Sequence, residues 1–143
     1  MAVAFVALGS NLGRREENLR LAVEKLRALP GTQVVRVSCW IETDPVGGPP
    51  QGKFLNGAAE LETRLVPRAL LAELQKIERE LGRPEPHEQW GPRVIDLDLL
   101  SYGDLVLDEP GLTLPHPRMQ ERPFVLIPLA EIAPGWRHPH ADR

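Results

Sequence analysis

The chain has 143 residues, a net charge of −3 at pH 7 and 42% hydrophobic against 26% charged residues, which predicts one globular domain over residues 1–143. No apolar run is long enough to span a membrane, and the N-terminus lacks a signal peptide. With a negative net charge and a single cysteine, Cys39, we expect a cytoplasmic monomer without disulfides that binds neither membranes nor nucleic acid.

The N-terminal third predicts a buried strand, a helix and a second strand. Residues 3–8 form a nearly continuous apolar run that ends in a glycine-containing turn. Residues 14–29 carry apolar positions at helical spacing and end at a Pro-Gly pair. Residues 33–41 are rich in valine and predict the second strand, and residues 44–52, with three prolines and three glycines, predict a loop.

The middle of the chain predicts a third strand over residues 54–63 and a helix over residues 67–81. The helix begins with proline at a tolerated position, carries leucines and an isoleucine on one face, and stops at a glycine. Gln75 and Glu78 lie off this apolar stripe, one turn apart. We interpret both as solvated, with a pocket-facing position as the alternative. Residues 83–92 predict a polar loop.

The C-terminal part predicts a strand over residues 94–102, a returning strand over 105–107 and a short extended piece at 112–114. Residues 115–132 are interrupted by prolines and predict a partly helical segment, in which Pro128 rules out one long regular helix. The order β-α-β-β-α-β with an extra hairpin strand predicts an α+β fold, a ferredoxin-like sandwich with a largely antiparallel sheet.

The strand over residues 94–102 alternates apolar residues with Asp96 and Asp98. Side chains two residues apart on a strand share a face, about 7 Å from each other. Two carboxylates at that distance favour a cation between them, and Mg²⁺ prefers such oxygen ligands. The alternative is an edge strand with two solvated surface acids.

Cationic residues flank this strand, and a Gly/Pro-containing loop precedes it. Arg83 and Arg93 come just before the acids, and His116 and Arg122 follow in the next segment. Each arginine alone is typical of a protein surface. Their placement around one acidic strand favours binding of a metal-bound polyphosphate, since a guanidinium can contact phosphate oxygens with two donors.

Five collinear motifs resemble the 6-hydroxymethyl-7,8-dihydropterin pyrophosphokinase family of folate biosynthesis, over residues 3–134. The motifs are Trp90-Gly91-Pro92-Arg93-x-x-Asp96-Leu97-Asp98-Leu99, Ala7-Leu8-Gly9-Ser10-Asn11-Leu12, Thr43 with Pro45 and Phe54-Leu55-Asn56, Leu114-Pro115-His116, and Arg122-x-Phe124. The chain departs from the family pattern at Glu85, Gln89, Gly111 and Pro117.

The resemblance implies transfer of the pyrophosphoryl group of ATP to the hydroxymethyl oxygen of the dihydropterin, leaving AMP. It implies two Mg²⁺ ions on Asp96 and Asp98, and Arg83 and Arg93 as further catalytic residues. The implied pterin-binding residues are Thr43, Val46, Phe54, Asn56, Trp90 and Phe124. The implied ATP-binding residues are Gln75, Arg83, Arg93, Leu99, Leu112, Thr113, His116 and Arg122.

Two other function classes stay open at this point. A different Mg²⁺-dependent nucleotidyl- or phosphotransferase would use the same acidic strand without a pterin site. A ferredoxin-like RNA-binding module would need exposed aromatic residues on its sheet and a basic face. The chain is only 5% aromatic and is negatively charged, which disfavours the RNA-binding class.

Overall fold

The computed structural model describes residues 1–44, 51–82 and 94–136. Within this part of the chain, no helix is long and apolar enough to cross a membrane. The strands are β1 (Ala2–Ser10), β2 (Thr32–Val37), β3 (Ile41–Thr43), β4 (Phe54–Thr63), β5 (Asp96–Tyr102), β6 (Leu107–Glu109) and β7 (Leu112–Leu114), and the helices are α1 (Arg15–Arg27), α2 (Pro67–Glu80) and α3 (Pro123–Ile132).

The main sheet is antiparallel, with the strand order β2-β4-β1-β5 and with β3 paired to β4 beyond the end of β2. Strands β6 and β7 form a separate antiparallel hairpin. Strand β1 therefore lies between β4 and β5, and the chain forms α1 after β1 and α2 after β4. This arrangement confirms the predicted ferredoxin-like α+β fold.

One face of the sheet is covered by α1 and α2. Alternate residues of β1 point to this face, and the apolar stripe of each helix packs on them. The alternation of apolar residues along the strand and their helical spacing in α1 and α2 predict this packing. The largest completely buried side chains of this layer are Val6, Leu8, Leu19, Leu26, Leu61, Leu70, Leu74, Ile95 and Leu114.

The other face of the sheet is covered at one end by α3, whose Val125, Leu129 and Ile132 pack with Phe5 of β1. The prediction that residues 115–132 are only partly helical is confirmed, since a 3-10 turn at Met119–Glu121 precedes α3. The role given to Pro128 is wrong, because α3 runs through it without a break. A proline inside a helix forfeits one backbone hydrogen bond. In this ten-residue helix Pro128 is itself buried, and the apolar contacts of α3 with the sheet offset that loss.

The predicted strand over residues 33–41 is divided in the structure, because the chain leaves the β2 ladder at Ser38. The Ser38 hydroxyl accepts a hydrogen bond from the Ala58 amide (2.9 Å), and the ring of Trp40 lies directly against Gly57. A side chain at position 57 would collide with that ring. The chain then pairs with β4 again as β3, which brings Thr43 opposite Phe54.

The returning strand also differs from the prediction. It begins at Leu107 rather than at residue 105, and it pairs with β7 instead of joining the main sheet. Tyr102 lies at the end of β5, and a turn at Gly103 (φ +54°) follows it.

Candidate functional site

The two acids of β5 lie on one face of the sheet, as the alternation predicts. Leu97 and Leu99 are each 4% exposed and pack among the residues under α1 and α2. Asp96 and Asp98 are half-buried and project from the opposite face, the one that α3 partly covers. The interpretation of the strand as apolar on one face and acidic on the other is confirmed.

A row of directly opposed residues connects the acidic strand with Asn56 of β4. Asp96 is opposite Gly9 on β1, and Gly9 is in turn opposite Asn56. Directly opposed residues of an antiparallel sheet share a face, and neighbouring strands are separated by roughly 4.8 Å. The Asn56 backbone is therefore about 10 Å from that of Asp96, on the same face of the sheet.

Asn56 is 7% exposed, and its side-chain amide donates a hydrogen bond to the Thr43 hydroxyl on β3. Phe54 lies two residues earlier on the same strand and projects from the same face, where its ring passes over Gly9. Phe124, at the start of α3, packs on this face as well. An oriented amide and two aromatic rings thus border the same region as the aspartates.

The segment that leads into Phe54 is held by the turn after β1. The Asn11 side chain donates hydrogen bonds to the Gln51 side-chain oxygen (2.7 Å) and the Gly52 carbonyl (3.1 Å). Arg15 donates to the Lys53 carbonyl (3.0 Å) and forms an ion pair with Glu42 of β3 (2.7 Å). Sequence reasoning assigns no role to Asn11 or Arg15, because these contacts span 27 to 41 residues of chain.

A β-bulge in β5 brings His116 to the site. The register between β1 and β5 shifts so that Leu100 has no partner in the pairing with β1. Its carbonyl accepts a hydrogen bond from the His116 backbone amide (2.7 Å). Bulges of this kind re-aim neighbouring side chains. Here the bulged residue Leu100, two positions along β5 from Asp98, holds the backbone of His116.

His116 is close enough to charged residues for them to influence its protonation. Burial lowers the pKa of His116 from its ordinary value, and the positive charges of Arg122 and Arg118 lower it further, while Asp96 acts in the opposite direction. The Arg122 guanidinium carbon also lies 5.8 Å from the centroid of the Phe124 ring. His116, Arg122, Phe124 and Asp96 thus belong to one cluster.

The interpretation of Glu78 as solvated is wrong. Glu78 is 5% exposed, and its carboxylate accepts a hydrogen bond from the Leu97 amide (2.8 Å), in the strand between the two aspartates. Gln75 lies one turn earlier on the same side of α2 and is exposed. The sequence does not indicate that Glu78 is buried, because Glu78 lies outside the apolar stripe of α2 and the strand that it contacts, β5, is distant in sequence.

Three predicted ATP-binding residues have side chains outside the acidic face. Leu99 and Leu112 are buried in the layer under α1 and α2, so only their backbone groups are available to a ligand. Thr113 is on β7, where its hydroxyl hydrogen-bonds Asp108 (3.4 Å). Val46, Arg83, Trp90 and Arg93 lie outside the described residues.

The donor set fits a magnesium site that the substrate completes. Two carboxylates on one strand face provide hard oxygen ligands. Among the residues that the structure describes, no group of three His, Cys, Asp or Glu side chains could hold a metal ion. A full protein cage is therefore lacking in that part of the chain, whereas Mg²⁺ commonly binds one or two carboxylates together with water and phosphate oxygens.

Comparison with known proteins gives matches over nearly the whole chain. The family model for 7,8-dihydro-6-hydroxymethylpterin-pyrophosphokinase matches residues 5–134. A 2-amino-4-hydroxy-6-hydroxymethyldihydropteridine pyrophosphokinase of Bacillus subtilis is 50% identical over 130 residues, which are 91% of this chain and 77% of the relative. The protein of the same name from Synechocystis is 46% identical over 140 residues, which are 98% of this chain and 71% of the relative.

Solved structures support the fold independently. A Plasmodium falciparum HPPK-DHPS structure with pteroate superposes with a TM-score of 0.72 at 14% identity, and one with SDX-DHP superposes with a TM-score of 0.69 at 15% identity. Each covers 96% of this chain, which spans only 40–41% of those longer chains. At these identities the likeness concerns the fold alone, and it agrees with the antiparallel sheet and three helices described above.

Proposed function

The chain belongs to the 7,8-dihydro-6-hydroxymethylpterin-pyrophosphokinase family, and from that premise we propose that its active site is the sheet face carrying Asp96, Asp98 and Asn56. As a member, it transfers the pyrophosphoryl group of ATP to the hydroxymethyl oxygen of 6-hydroxymethyl-7,8-dihydropterin, giving AMP, in folate biosynthesis. The row Asp96–Gly9–Asn56 carries the site proposal, because it sets carboxylates about 10 Å from an oriented amide on one face of the sheet.

Asp96 and Asp98 are proposed to hold Mg²⁺, two ions in all. When bound there, magnesium neutralises triphosphate charge and orients the phosphates. The half-buried position of both carboxylates supports the assignment, since phosphate oxygens can complete the coordination from the solvent side.

The pterin is proposed to bind between Phe54 and Phe124, with Asn56 and Thr43 contacting its polar edge. Flat heterocycles stack well on aromatic faces, and both rings border the region next to Asn56. The hydrogen bond from Asn56 to Thr43 fixes the amide, so that its carbonyl oxygen stays available to a pterin N–H group. Val46 and Trp90, outside the described residues, complete this set as proposals from the motif.

The triphosphate is proposed to lie between the aspartates and a positive lining of His116 and Arg122. The influence of Arg122 and Asp96 on His116 supports their proximity. Arg83 and Arg93, outside the described residues, are proposed as catalytic residues that neutralise the charge developing on the transferred group. The remaining proposed ATP contacts are Gln75, from the exposed side of α2, and Leu99, Leu112 and Thr113, from the adenine side.

Transfer needs an in-line approach of the hydroxymethyl oxygen to the β-phosphorus, with AMP as the leaving group. The chain contributes mainly binding and orientation, since positioning accounts for much of the barrier reduction in such reactions. Stacking and the Asn56 contact orient the pterin, and His116 and Arg122 bind the triphosphate. A neutral imidazole at His116 donates a hydrogen bond to phosphate without becoming an additional buried charge.

The test is a product assay with ATP, hydroxymethyl-dihydropterin and Mg²⁺, followed by ³¹P NMR. We expect AMP and the pterin diphosphate ester, no turnover in EDTA, and recovery when excess Mg²⁺ is added. Formation of ADP in place of AMP would contradict pyrophosphoryl transfer. Undiminished turnover in EDTA would contradict the metal proposal. We also propose a monomeric, cytoplasmic enzyme, and a dimer mass in light scattering would contradict the monomer.

A further inference from the structure

A buried carboxylate is bonded to the backbone between the two proposed metal ligands. Glu78 of α2 is 5% exposed, and its Oε2 lies 2.8 Å from the amide nitrogen of Leu97. Leu97 separates Asp96 from Asp98 on β5, and its own side chain is 4% exposed beneath α1 and α2. One residue of the strand is thus fixed through both its side chain and its amide.

The position of β5 in the sheet gives this bond its importance. Among the described strands, β5 pairs with β1 alone, so no described strand is hydrogen-bonded to its outer edge. An outward amide buried at such an edge needs an acceptor, because leaving a donor unpaired costs about 1–3 kcal/mol. A carboxylate acceptor forms a charge-assisted bond, roughly twice as strong as a neutral one.

The placement of Glu78 carries two costs that the Leu97 bond offsets. Its carboxylate is removed from water, which disfavours the charged form. It also lies near the C-terminal end of α2, where the negative end of the helix dipole disfavours an acid. Glu78, Asp96 and Asp98 form no metal-binding group of three, so Glu78 is not a third ligand. Among the described residues, the hydrogen bond of its carboxylate is with the strand that carries the proposed ligands.

We propose that Glu78 is a positioning residue for the metal-binding aspartates. By holding the Leu97 amide, it fixes the path of β5 at its outer edge, so that Asp96 and Asp98 project from the same face at the spacing that metal-bound triphosphate requires. Leu97 faces the opposite layer, so Glu78 acts from behind the site, without touching substrate. This inference rests on the proposed function.

The experiment compares two substitutions of similar volume that differ in whether they accept a hydrogen bond. Glu78→Gln keeps an acceptor for the Leu97 amide, whereas Glu78→Met fills the buried space without one. Glu80→Gln, at an exposed glutamate on the same helix, is the matched control. Mn²⁺ binding in the presence of a non-hydrolysable ATP analogue, followed by EPR, gives a readout that does not depend on turnover.

We expect Glu78→Met to weaken Mn²⁺ binding by about 10–100-fold, the range found when outer partners of metal ligands are removed, and Glu78→Gln to stay within about threefold of the parent protein. Hydrogen exchange at the Leu97 amide should accelerate in Glu78→Met only. Equal Mn²⁺ affinity in both variants, whether unchanged or equally weakened, would overturn the inference. Absence of Mn²⁺ binding in the parent protein would instead overturn the proposed function, and this inference with it.

Discussion

The side-chain oxygen of Asn56 lies 3.0 Å from the point where a Cβ atom would stand on Gly9. The Phe54 ring approaches the same point to 3.6 Å. Gly9 is not one of the glycines with a positive φ, so no turn requires glycine at this position. Its lack of a side chain instead lets Asn56 and Phe54 come close to the β1 backbone. The space above Gly9 is where the proposed pterin region meets the acidic strand.

Replacing Gly9 with alanine is therefore expected to displace Asn56 by a few tenths of an ångström and to weaken its bond to Thr43. The KM for the pterin should rise by about tenfold, since misplacement of one oriented polar contact costs on the order of 1.4 kcal/mol, with little change in the KM for ATP. Steady-state kinetics with each substrate varied in turn measures this. Gly135→Ala is the control, because among the described residues no atom beyond its chain neighbours lies within 4 Å of the added methyl group. An unchanged pterin KM would contradict the steric argument.

Thr43→Val keeps the shape of the side chain and removes the acceptor for the Asn56 amide. Leaving this buried donor unpaired costs about 1–3 kcal/mol, part of which should appear as a rise of about fivefold or more in the pterin KM. Thr32→Val removes a comparable hydroxyl contact, to Thr63 (2.7 Å), at the far end of β2. That variant should lower the free energy of unfolding without changing either KM. Equal kinetic effects in the two variants would count against a pterin-orienting role for Thr43.

Asp96→Asn and Asp98→Asn each remove a proposed metal ligand while keeping side-chain size. We expect kcat/KM to fall by more than about a hundredfold, beyond the range for loss of an outer partner, and the Mg²⁺ concentration for half-maximal rate to rise. Circular dichroism should report an unchanged fold. Asp104→Asn, at an exposed acid in the turn after β5, serves as the control. Parent-like magnesium dependence in both aspartate variants would exclude these residues as ligands.

Acidification should destabilise the metal-free protein partly through His116. Because the pKa of His116 is lower in the folded protein than in the unfolded chain, the unfolded chain binds more protons between those two pKa values. The free energy of unfolding therefore falls as the pH drops below about 6.5, and His116→Gln should make that fall shallower between pH 7 and 5. Urea unfolding at a series of pH values measures it. Glu42, whose pKa is lowered by the hydrogen bond from Arg15, titrates below this window and does not obscure the comparison. Parallel curves for the two proteins would contradict this assignment.

Much of the fold follows from local periodicity. The stripe of α2 and the alternation along β5 are each set by residues within one element, so the helix, the strand and the face carrying Asp96 and Asp98 could be predicted. The break at Ser38 could not, because it depends on the contact of Trp40 with Gly57, nearly 20 residues away. The helix through Pro128 could not be predicted either, because the burial of α3 against the sheet outweighs the backbone hydrogen bond that proline cannot make.

The site, too, has some features that the sequence predicts and others that depend on tertiary structure. Sequence alternation identified the carboxylates, and the family resemblance identified Phe54, Asn56 and His116 as their neighbours. The register that sets Gly9 between Asp96 and Asn56 is a property of strand pairing, which no single segment determines. The sequence predicts a solvated Glu78, because an acidic residue outside the apolar stripe of a helix is ordinarily exposed. Only the position of α2 against the outer edge of β5 shows that it is bonded to Leu97.

The sheet also separates two kinds of change that an engineer could make to this protein. The layer under α1 and α2 buries Leu19, Leu26 and Leu70, while the proposed metal ligands and pterin contacts are on the reverse side of the sheet. Effects of substitutions more than about 10 Å apart usually add. Under this proposal, heat resistance can be adjusted from the helical side and pterin preference from the other, with Glu78 as the place where the two sides are coupled.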